Sequence, residues 1–329
     1  MAEKSRAFIQ SMTINGQALD LDSVIQATYI ETINMDGPML TMQIRDSLTL
    51  ITDQYGLTGG SEIVCEMSDL HNNAGSSFKE RFTVGPPKKE GDVITIDAFQ
   101  ADCAKLKTPA PKARYFNEKR PGFILQQLLP GLTVVTDITD AGTYHLNEGM
   151  TPSRMLRAMA RDYGAALFIC RGKVYFKTLS SLKGQPPAYK VGTNRSRGKI
   201  DINIANQTRP DLKALYERNL RRQWYTFNDY GELIKGSAQA GFPSAFVSGL
   251  PGRRLDNQNA YLLPRLDMTS HGLASVFPSM LLELDIVKHD AFGEVDESLP
   301  SKLLVSTISH HHAGMSYLNR IELSEVAFE

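Results

Sequence analysis

The first hundred residues alternate between apolar and polar positions, a period of two that is typical of half-buried β-strands. Five runs carry their apolar residues at alternate positions: Phe8, Met12 and Ile14; Leu40, Met42 and Ile44; Ile63, Cys65 and Met67; Phe78, Phe82 and Val84; Ile94, Ile96 and Ala98. A sixth run, 24–33, ends near the turn Asp36-Gly37-Pro38. Six short strands with turn residues between them predict an antiparallel barrel or sandwich with one solvated face, and no helix is expected among them.

The pattern changes near residue 107. Prolines and basic residues in 107–116 interrupt the alternating pattern and indicate a connector between domains. Pro121 suits the first turn of a helix, which is expected to stop at Pro130-Gly131, and a strand-like LTVVTDI follows. A second interruption of the hydrophobic pattern, rich in Gly, Pro and basic residues, spans 184–198. The stretch between the two interruptions therefore reads as a separate module.

Residues 151–177 predict a helix followed by a hairpin. Thr151 suits the N-cap, Pro152 suits the first helical position, and Gly164 suits the residue that ends the helix. One face of the helix is apolar: Met155, Leu156, Met159, Ala160 and Tyr163. The polar residues are expected to face solvent: Arg154, Arg157, Arg161 and Asp162. Beyond the helix, Leu167 and Ile169 are expected to pair with Val174 and Phe176 across the turn Arg171-Gly172.

Strand patterns return after residue 198. Ile200, Ile202 and Ile204 alternate with polar residues, and 303–326 contains two strand-like runs around Ala313-Gly314. The run 274–290 suggests a strand entered after Pro278, whereas 209–229 fits either a basic helix or a pair of strands. The expected division is a first β-barrel in 1–106, an α/β middle module in 107–198 and a second β-barrel in 199–329. The expected fold class is mainly β: two tube-like antiparallel β-barrels with an α/β insert, a small helix-plus-hairpin module.

Charge and composition argue against several classes of partner. Lys plus Arg number 36 and Asp plus Glu number 36, so no global field favours nucleic acid or an anionic membrane. Apolar stretches fall far short of the ~20 residues of a membrane span, and no secretory signal is visible, so we expect a soluble chain. The three widely spaced cysteines fit reduced, buried thiols in a cytoplasm. Sequence-specific binding to nucleic acid and binding to membranes are not expected.

Two local clusters suggest chemistry. His310 and His312 project to the same face of a strand, so they are candidate metal ligands if a third ligand comes from elsewhere; the alternative is a pair of histidines on a barrel rim. The basic and aromatic stretch consists of Arg218, Arg221, Arg222 and Trp224. It is a candidate contact with another subunit, with a tube or with nucleic acid passing through one, and a solvated helix face is the alternative. No pattern indicates a cofactor.

The order of the three regions resembles the baseplate hub proteins of contractile tails. The resemblance is carried by the helix and hairpin pattern of 151–177 and by the closing Ser-His-His-His … Tyr-Leu-Asn-Arg-Ile-Glu-Leu of 309–323. The family includes the phage late control protein D group, the hubs of Mu-like and T-even-like phages, and the N-terminal part of the VgrG spike protein. It implies two tube-like barrels per chain, with a smaller module beside them.

The resemblance also implies a role. In this family three chains form a ring of six barrels that adapts a six-fold tail tube to a three-fold central spike. The implied partners are two further copies, the tail tube, the spike, and other baseplate and tape-measure proteins, in a virion tail assembled in the host cytoplasm. We therefore expect a structural protein without enzymatic activity. The alternatives are a peptidoglycan hydrolase and a carbohydrate-binding tail component.

Overall fold

A computed structural model describes residues 8–47, 49–69, 76–194, 196, 198–237, 241–287 and 296–327. The described chain is mainly β, with an α/β module inserted between two β units, so the expected fold class is confirmed. The helices are α1 (Leu50–Gln54), α2 (Ala101–Lys107), α3 (Pro121–Leu128), α4 (Pro152–Asp162), α5 (Leu179–Gly184) and α6 (Lys213–Leu220).

The first β unit contains the strands predicted from the alternating pattern. They are β1 (Ile9–Ile14), β2 (Gln17–Ala18), β3 (Val24–Thr32), β4 (Met39–Arg45), β5 (Glu62–Met67), β6 (Phe78–Val84), β7 (Lys88–Glu90) and β8 (Val93–Gln100). The main strands follow the order β1-β5-β6-β8-β4-β3, all antiparallel. Their alternate apolar residues share one buried core, because a strand presents every second side chain to the same face.

Two short helices interrupt this unit, although no helix was expected there. The backbone N–H of Ile51 in α1 donates to Asp46 Oδ1 at 2.8 Å, and Lys89 forms an ion pair with the same buried carboxylate at 2.9 Å. In α2 the side chain of Gln100 accepts hydrogen bonds from Asp102 and Cys103. These helices depend on capping by neighbouring strands, and they are too short to show a helical period in the sequence.

The second β unit is a closed barrel of six strands. Its strands are β14 (Tyr189–Gly192), β15 (Ile202–Thr208), β19 (Tyr261–His271), β20 (Leu281–Asp285), β21 (Lys302–Ala313) and β22 (Ser316–Ala327). They close in the order β21-β20-β14-β15-β19-β22, with β22 paired back to β21. The barrel is antiparallel except at β14, which runs parallel to both neighbours. β14 lies within the range 107–198 assigned to the middle module.

The two β units are joined directly by hydrogen bonds. Strand β3 of the first unit pairs with β21 of the second, from Thr32↔Thr307 to Gln26↔Ala313. As a result, one hydrogen-bonded sheet runs through both units. The hairpin β21–β22 also contributes to the first core, where Tyr317 packs and where the Phe8 ring stacks on those of His310 and Tyr317.

The middle module packs the helices α3 and α4 on two small sheets. Its strands are β9 (Arg114–Lys119), β10 (Thr133–Thr136), β11 (Gly142–Leu146), β12 (Ala165–Cys170) and β13 (Lys173–Thr178). They form the sheets β10-β13-β12 and β11-β9. Helix α4 and the hairpin β12–β13 form as predicted, with Leu167 opposite Phe176 and Ile169 opposite Val174. Asp162 does not face solvent as expected: its side chain accepts hydrogen bonds from Tyr144 and from Gln258 of the second unit.

Strand β12 is buried on both faces. Leu167 and Ile169 pack beneath α4, in the core of the module. Phe168 and Cys170, on the other face, share a core with residues of the second barrel such as Leu304. A strand covered on both faces reads as a continuous apolar run, which is the sequence of 165–170. The module is therefore docked against the barrel over an apolar surface.

The region 209–260 forms a further small unit. It contains both a helix, α6, and strands, so the two readings of 209–229 each describe part of it. Its strands are β16 (Gln223–Phe227), β17 (Leu233–Lys235) and β18 (Ser244–Phe246), which form a separate sheet in the order β17-β16-β18. Short 3₁₀ turns at Gly252–Arg254 and Asp256–Asn259 connect it to β19.

Candidate functional site

The tip of the hairpin β12–β13 reaches the place where the two β units meet. Arg171 and Gly172 both adopt positive φ angles, 50° and 73°, which a two-residue hairpin turn requires. The turn places the Arg171 side chain between Phe78 of the first unit and Phe277 of the second, with ring centroids 4.1 Å and 5.2 Å from the guanidinium carbon. One side chain of the module thus contacts both β units.

The guanidinium of Arg171 forms a buried ion pair with Glu31 of strand β3. Arg171 Nε and Nη2 donate to the two oxygens of Glu31 at 3.1 Å and 2.8 Å, and Nη2 also donates to the carbonyl of Val276 at 2.9 Å. Glu31 has no contact with solvent. Because a bidentate pair fixes both direction and distance, this contact sets the position of the module relative to both units.

Three further groups, one from each of the three regions, contact Glu31. Tyr29 Oη donates to Oε1 at 3.1 Å and Cys170 Sγ donates to Oε1 at 3.0 Å. His310 Nε2 lies 3.4 Å from Oε2. Burial by itself raises the pKa of Glu31, but the Arg171 charge and the His310 contact outweigh burial and hold the pKa well below its usual range. Glu31 is therefore ionised. We call Glu31, Glu80, Cys170, Arg171 and His310 the junction cluster.

Glu80 of strand β6 has the opposite character. Burial and then the negative charge of Glu31 raise the pKa of Glu80 to about 7. The backbone N–H groups of Gly172 and Arg171 and the side chain of Gln100 act in the opposite direction. The hairpin turn therefore contacts two carboxyl groups that differ in protonation: Glu31 is ionised and Glu80 is largely neutral below pH 7.

His310 lies in the core and not on an exposed rim. Its ring stacks on Phe8 at 4.9 Å, and Nδ1 lies 2.7 Å from Tyr317 Oη. Burial, the largest effect, lowers the pKa of His310, so the ring is neutral near pH 7. His312 Nε2 lies instead 2.9 Å from the carbonyl oxygen of Gly314. Within the described residues no group of three His, Cys, Asp or Glu side chains has the spacing of a metal site, so a shared metal remains a hypothesis.

The basic and aromatic stretch does not form one surface. Arg218 is exposed near the end of α6, whereas Trp224 lies partly buried in β16 and its Nε1 donates to Asn259 Oδ1 at 3.1 Å. The backbone N–H of Arg222 donates to the same oxygen at 3.0 Å, and Arg221 stacks over Phe242 at 4.3 Å. Their proposed contact with a subunit or a tail tube remains a prediction.

Arg221 also lines a cleft of about 230 Å³ beside the barrel. The other charged residues of the cleft are Lys183, Lys213, Glu217 and Glu325. Glu325 forms an ion pair with Arg265 at 3.5 Å. A second cleft of about 460 Å³ lies between α2 and the middle module, and Asp102 is the one carboxylate in its lining. The first lining thus contains two carboxylates, Glu217 and the ion-paired Glu325, and the second contains one.

The reactive groups of the junction cluster are sealed from solvent. Glu31 and His310 have no exposed surface, and burial raises the pKa of the Cys170 thiol. A catalytic acid, base or nucleophile must reach a substrate, and these groups contact only each other and their packed neighbours.

Within the described residues, no helix is long and apolar enough to cross a membrane.

The sequence contained a signal for this cluster. Glu31 follows Ala27 and Tyr29 at the inward positions of β3, where a carboxylate is costly unless a cation pairs with it. The pattern therefore predicts that some cation reaches the inside of the sheet. It does not identify Arg171, because that contact joins residues 140 positions apart.

The chain shares its fold with phage tail proteins. A tail protein from Neisseria meningitidis MC58 superposes with a TM-score of 0.64 and 11% sequence identity, covering 97% of each chain. The 43 kDa tail protein of prophage MuSo2 from Shewanella oneidensis gives 0.61 at 11% identity, over 95% of this chain and 97% of that one. The expected resemblance to tail proteins is confirmed in the fold.

A protein of a secretion system has a related fold. The E. coli c3393 protein is described as a component of the type VI secretion system with structural similarity to the T4 tail proteins gp27 and gp5. It superposes with a TM-score of 0.51 at 11% identity, over 95% of this chain and 76% of that one. No protein-family model and no curated protein matches this sequence.

Proposed function

We propose that this protein is the structural hub of a contractile phage tail baseplate. In this proposal it forms a homotrimeric ring that adapts the six-fold tail tube to the three-fold central spike. The fold shared with two phage tail proteins over nearly their whole length supports a role in a tail. Its partners are the tail tube, the spike, and other baseplate and tape-measure proteins, in a virion assembled in the host cytoplasm.

The observation that carries the proposal is the pairing of two β units in one chain. Each unit has six main strands, and the ladder between β3 and β21 joins them side by side. Three chains with two such units present six β units around an axis while keeping three-fold symmetry. A symmetry mismatch between tube and spike can be bridged in this way, since each chain supplies two quasi-equivalent positions.

The three regions of the chain are assigned to parts of the proposed ring. We assign one barrel-like unit to 1–106 and one to 199–329, with 107–198 as a module on the outside of the ring. Strand β14, at the end of that middle range, belongs to the second barrel by its pairing. Strand β12 packs on the second barrel, and Arg171 lies between the two β units. These contacts support a module that is rigidly attached to the ring.

The role is non-enzymatic in this proposal. The strongly perturbed carboxyls, Glu31 and Glu80, lie in a sealed junction, and their environment is explained by the ion pair and by burial. A spike partner is supported by the fold of the E. coli secretion component, which is described as similar to gp27 and gp5 of T4.

Light scattering of the purified chain tests the proposal. Three chains of 36.5 kDa per particle are expected, whereas a stable monomer at micromolar concentration contradicts the hub. Incubation with purified peptidoglycan should release no soluble fragments. Release that depends on this protein would favour the hydrolase and overturn the non-enzymatic assignment.

A further inference from the structure

The small sheet β17-β16-β18 exposes large hydrophobic side chains on the face turned away from the rest of the chain. Its inner face packs on the chain: Trp224 donates to Asn259, and Ile234 lies so close to Gly252 that an added Cβ would be 2.8 Å from Ile234 Cγ2. In a sheet of a soluble chain, the opposite face is normally polar. Here the opposite face carries aromatic and aliphatic residues.

The strand register identifies these residues. Phe227 lies opposite Leu233, and Tyr225 lies between Phe246 and Lys235, so these side chains share one face, which also carries Gln223 and Ser244. The exposed fractions are 54% for Phe227, 57% for Leu233 and 52% for Phe246, and the rings of Phe227 and Phe246 are 5.2 Å apart. We call Tyr225, Phe227, Leu233 and Phe246 the outer face.

Exposed apolar residues are concentrated in this region. The structure describes twelve large hydrophobic side chains as exposed, and six of them lie within residues 213–246: Leu215, Leu220, Phe227, Tyr230, Leu233 and Phe246. Tyr230, on the turn between β16 and β17, is 90% exposed. Single exposed hydrophobics are ordinary, but a contiguous group indicates an interaction surface.

We propose that a second copy of this chain covers the outer face, as the apolar centre of the contact between subunits. This inference rests on the proposed trimer. The exposed area of the outer face and Tyr230 is roughly 500 Å², less than the ~800 Å² per partner of a stable pairwise complex. A solitary partner held by this face alone would bind weakly. In a closed ring each copy is held at two contacts, so a smaller interface is sufficient.

The net charge of the chain also favours a second copy as the partner at the outer face. The formal net charge of the chain is zero, so identical copies have no net repulsion to overcome when they associate. The rim of the outer face carries both signs, with Lys235 on β17 and Asp229 and Glu232 on the adjoining turn. An apolar centre with a mixed polar rim is the usual anatomy of a contact between protein subunits.

Substitution on the outer face tests this contact. In Phe227→Asp and Phe246→Asp a charge enters the proposed interface, so the concentration at which the trimer dissociates should rise about 30-fold or more. Phe123→Asp is the matched control, because Phe123 is 45% exposed but lies in α3 of the middle module. Sedimentation velocity over a dilution series gives the mass, and circular dichroism checks the fold.

The outcomes separate this inference from the proposed function. A monomeric wild type overturns the hub and this contact together. A trimeric wild type whose two outer-face variants remain trimeric overturns the contact and leaves the hub intact. Variants that stay trimeric but no longer bind purified tail tube protein assign the face to a different partner and likewise overturn the proposal. Loss of the trimer in both variants, with retention in Phe123→Asp, supports it.

Oxidative footprinting of the wild type decides the case in which the variants do not fold. Phe227, Tyr230 and Phe246 should be protected from hydroxyl radicals in the trimer and labelled after dilution to the monomer. Equal labelling in both states contradicts a subunit contact at this face.

Discussion

At the scale of single residues, the Arg171–Glu31 pair connects the middle module to the β units. Both partners are buried, so removal of one leaves the other charge without compensation. Arg171→Met keeps an unbranched apolar stem but removes the guanidinium and its charge. We expect unfolding free energy to fall by about 3–5 kcal/mol, measured by urea denaturation.

An exposed ion pair provides the control for this prediction. Arg157 of α4 contacts Asp36 at 2.9 Å, with both side chains about half exposed. Arg157→Met should cost less than about 1 kcal/mol, because water and salt screen an exposed pair. Glu31→Gln added to Arg171→Met should recover part of the loss, since no unpaired charge then remains buried. Equal costs for the two arginine variants would show that the Arg171 pair is not buried in solution.

Glu80 predicts a dependence of stability on pH. Its pKa in the folded state is about 7, above the ordinary 4.5, so the folded protein keeps a proton that the unfolded chain has lost between these values. Stability associated with Glu80 is therefore fully present below about pH 4.5 and is lost as the pH rises to about 7. The neutral isostere Glu80→Gln should gain about 2 kcal/mol relative to wild type between pH 4.5 and 8.

Thermal unfolding at a series of pH values measures this difference. His310, whose pKa is lowered by burial, also contributes to the pH dependence, but both proteins carry it and its effect cancels to first order in the comparison. A difference in Tm that does not change from pH 4.5 to 8 would show that folding does not raise the pKa of Glu80.

Single residues show where prediction from the sequence ends. The turn at Arg171-Gly172 follows from local chemistry, because positive φ angles and a short hairpin leave few alternatives. The burial of Arg171 depends on residues 105 and 140 positions away in the chain. Likewise, the spacing of His310 and His312 predicts a shared face, but not that the ring of His310 stacks on Phe8.

At the scale of elements, close packing at Gly272 fixes the end of β19 against β22. An added Cβ at Gly272 would lie 2.1 Å from the Tyr317 ring, whereas nothing lies within 4 Å of the corresponding position at Gly184 in α5. Gly272→Ala should therefore destabilise the protein by about 1–3 kcal/mol, and Gly184→Ala should be neutral or slightly stabilising. Urea unfolding of the two variants provides the comparison, and equal midpoints would contradict this packing.

Elements with a strong local period were predictable, and those that depend on distant partners were not. Helix α4 and the hairpin β12–β13 have an apolar face, a breaker and a turn within 27 residues. Strand β14 has only four residues and a parallel partner on each side, so its pairing comes from β15 and β20. Helices α1 and α2 depend on caps from Asp46 and Gln100, which the hydrophobic pattern does not show.

At the scale of the whole molecule, the ladder between β3 and β21 determines how the two β units sit. Because it joins them by hydrogen bonds, and because Arg171 contacts both, the angle between the units is fixed within the chain. The six main strands of the first unit and the closing hairpin β21–β22 followed from the sequence pattern. The direct pairing of the halves did not, since strand pairing over nearly 300 residues leaves no local periodicity.

The most direct test of the hub proposal is electron microscopy of the purified particle. The proposal predicts a ring with three-fold symmetry in which six β units, two from each chain, surround a central channel, with the middle modules on the outside. Particles that contain one or two chains, or a three-chain assembly whose β units do not form a six-lobed ring, would contradict it.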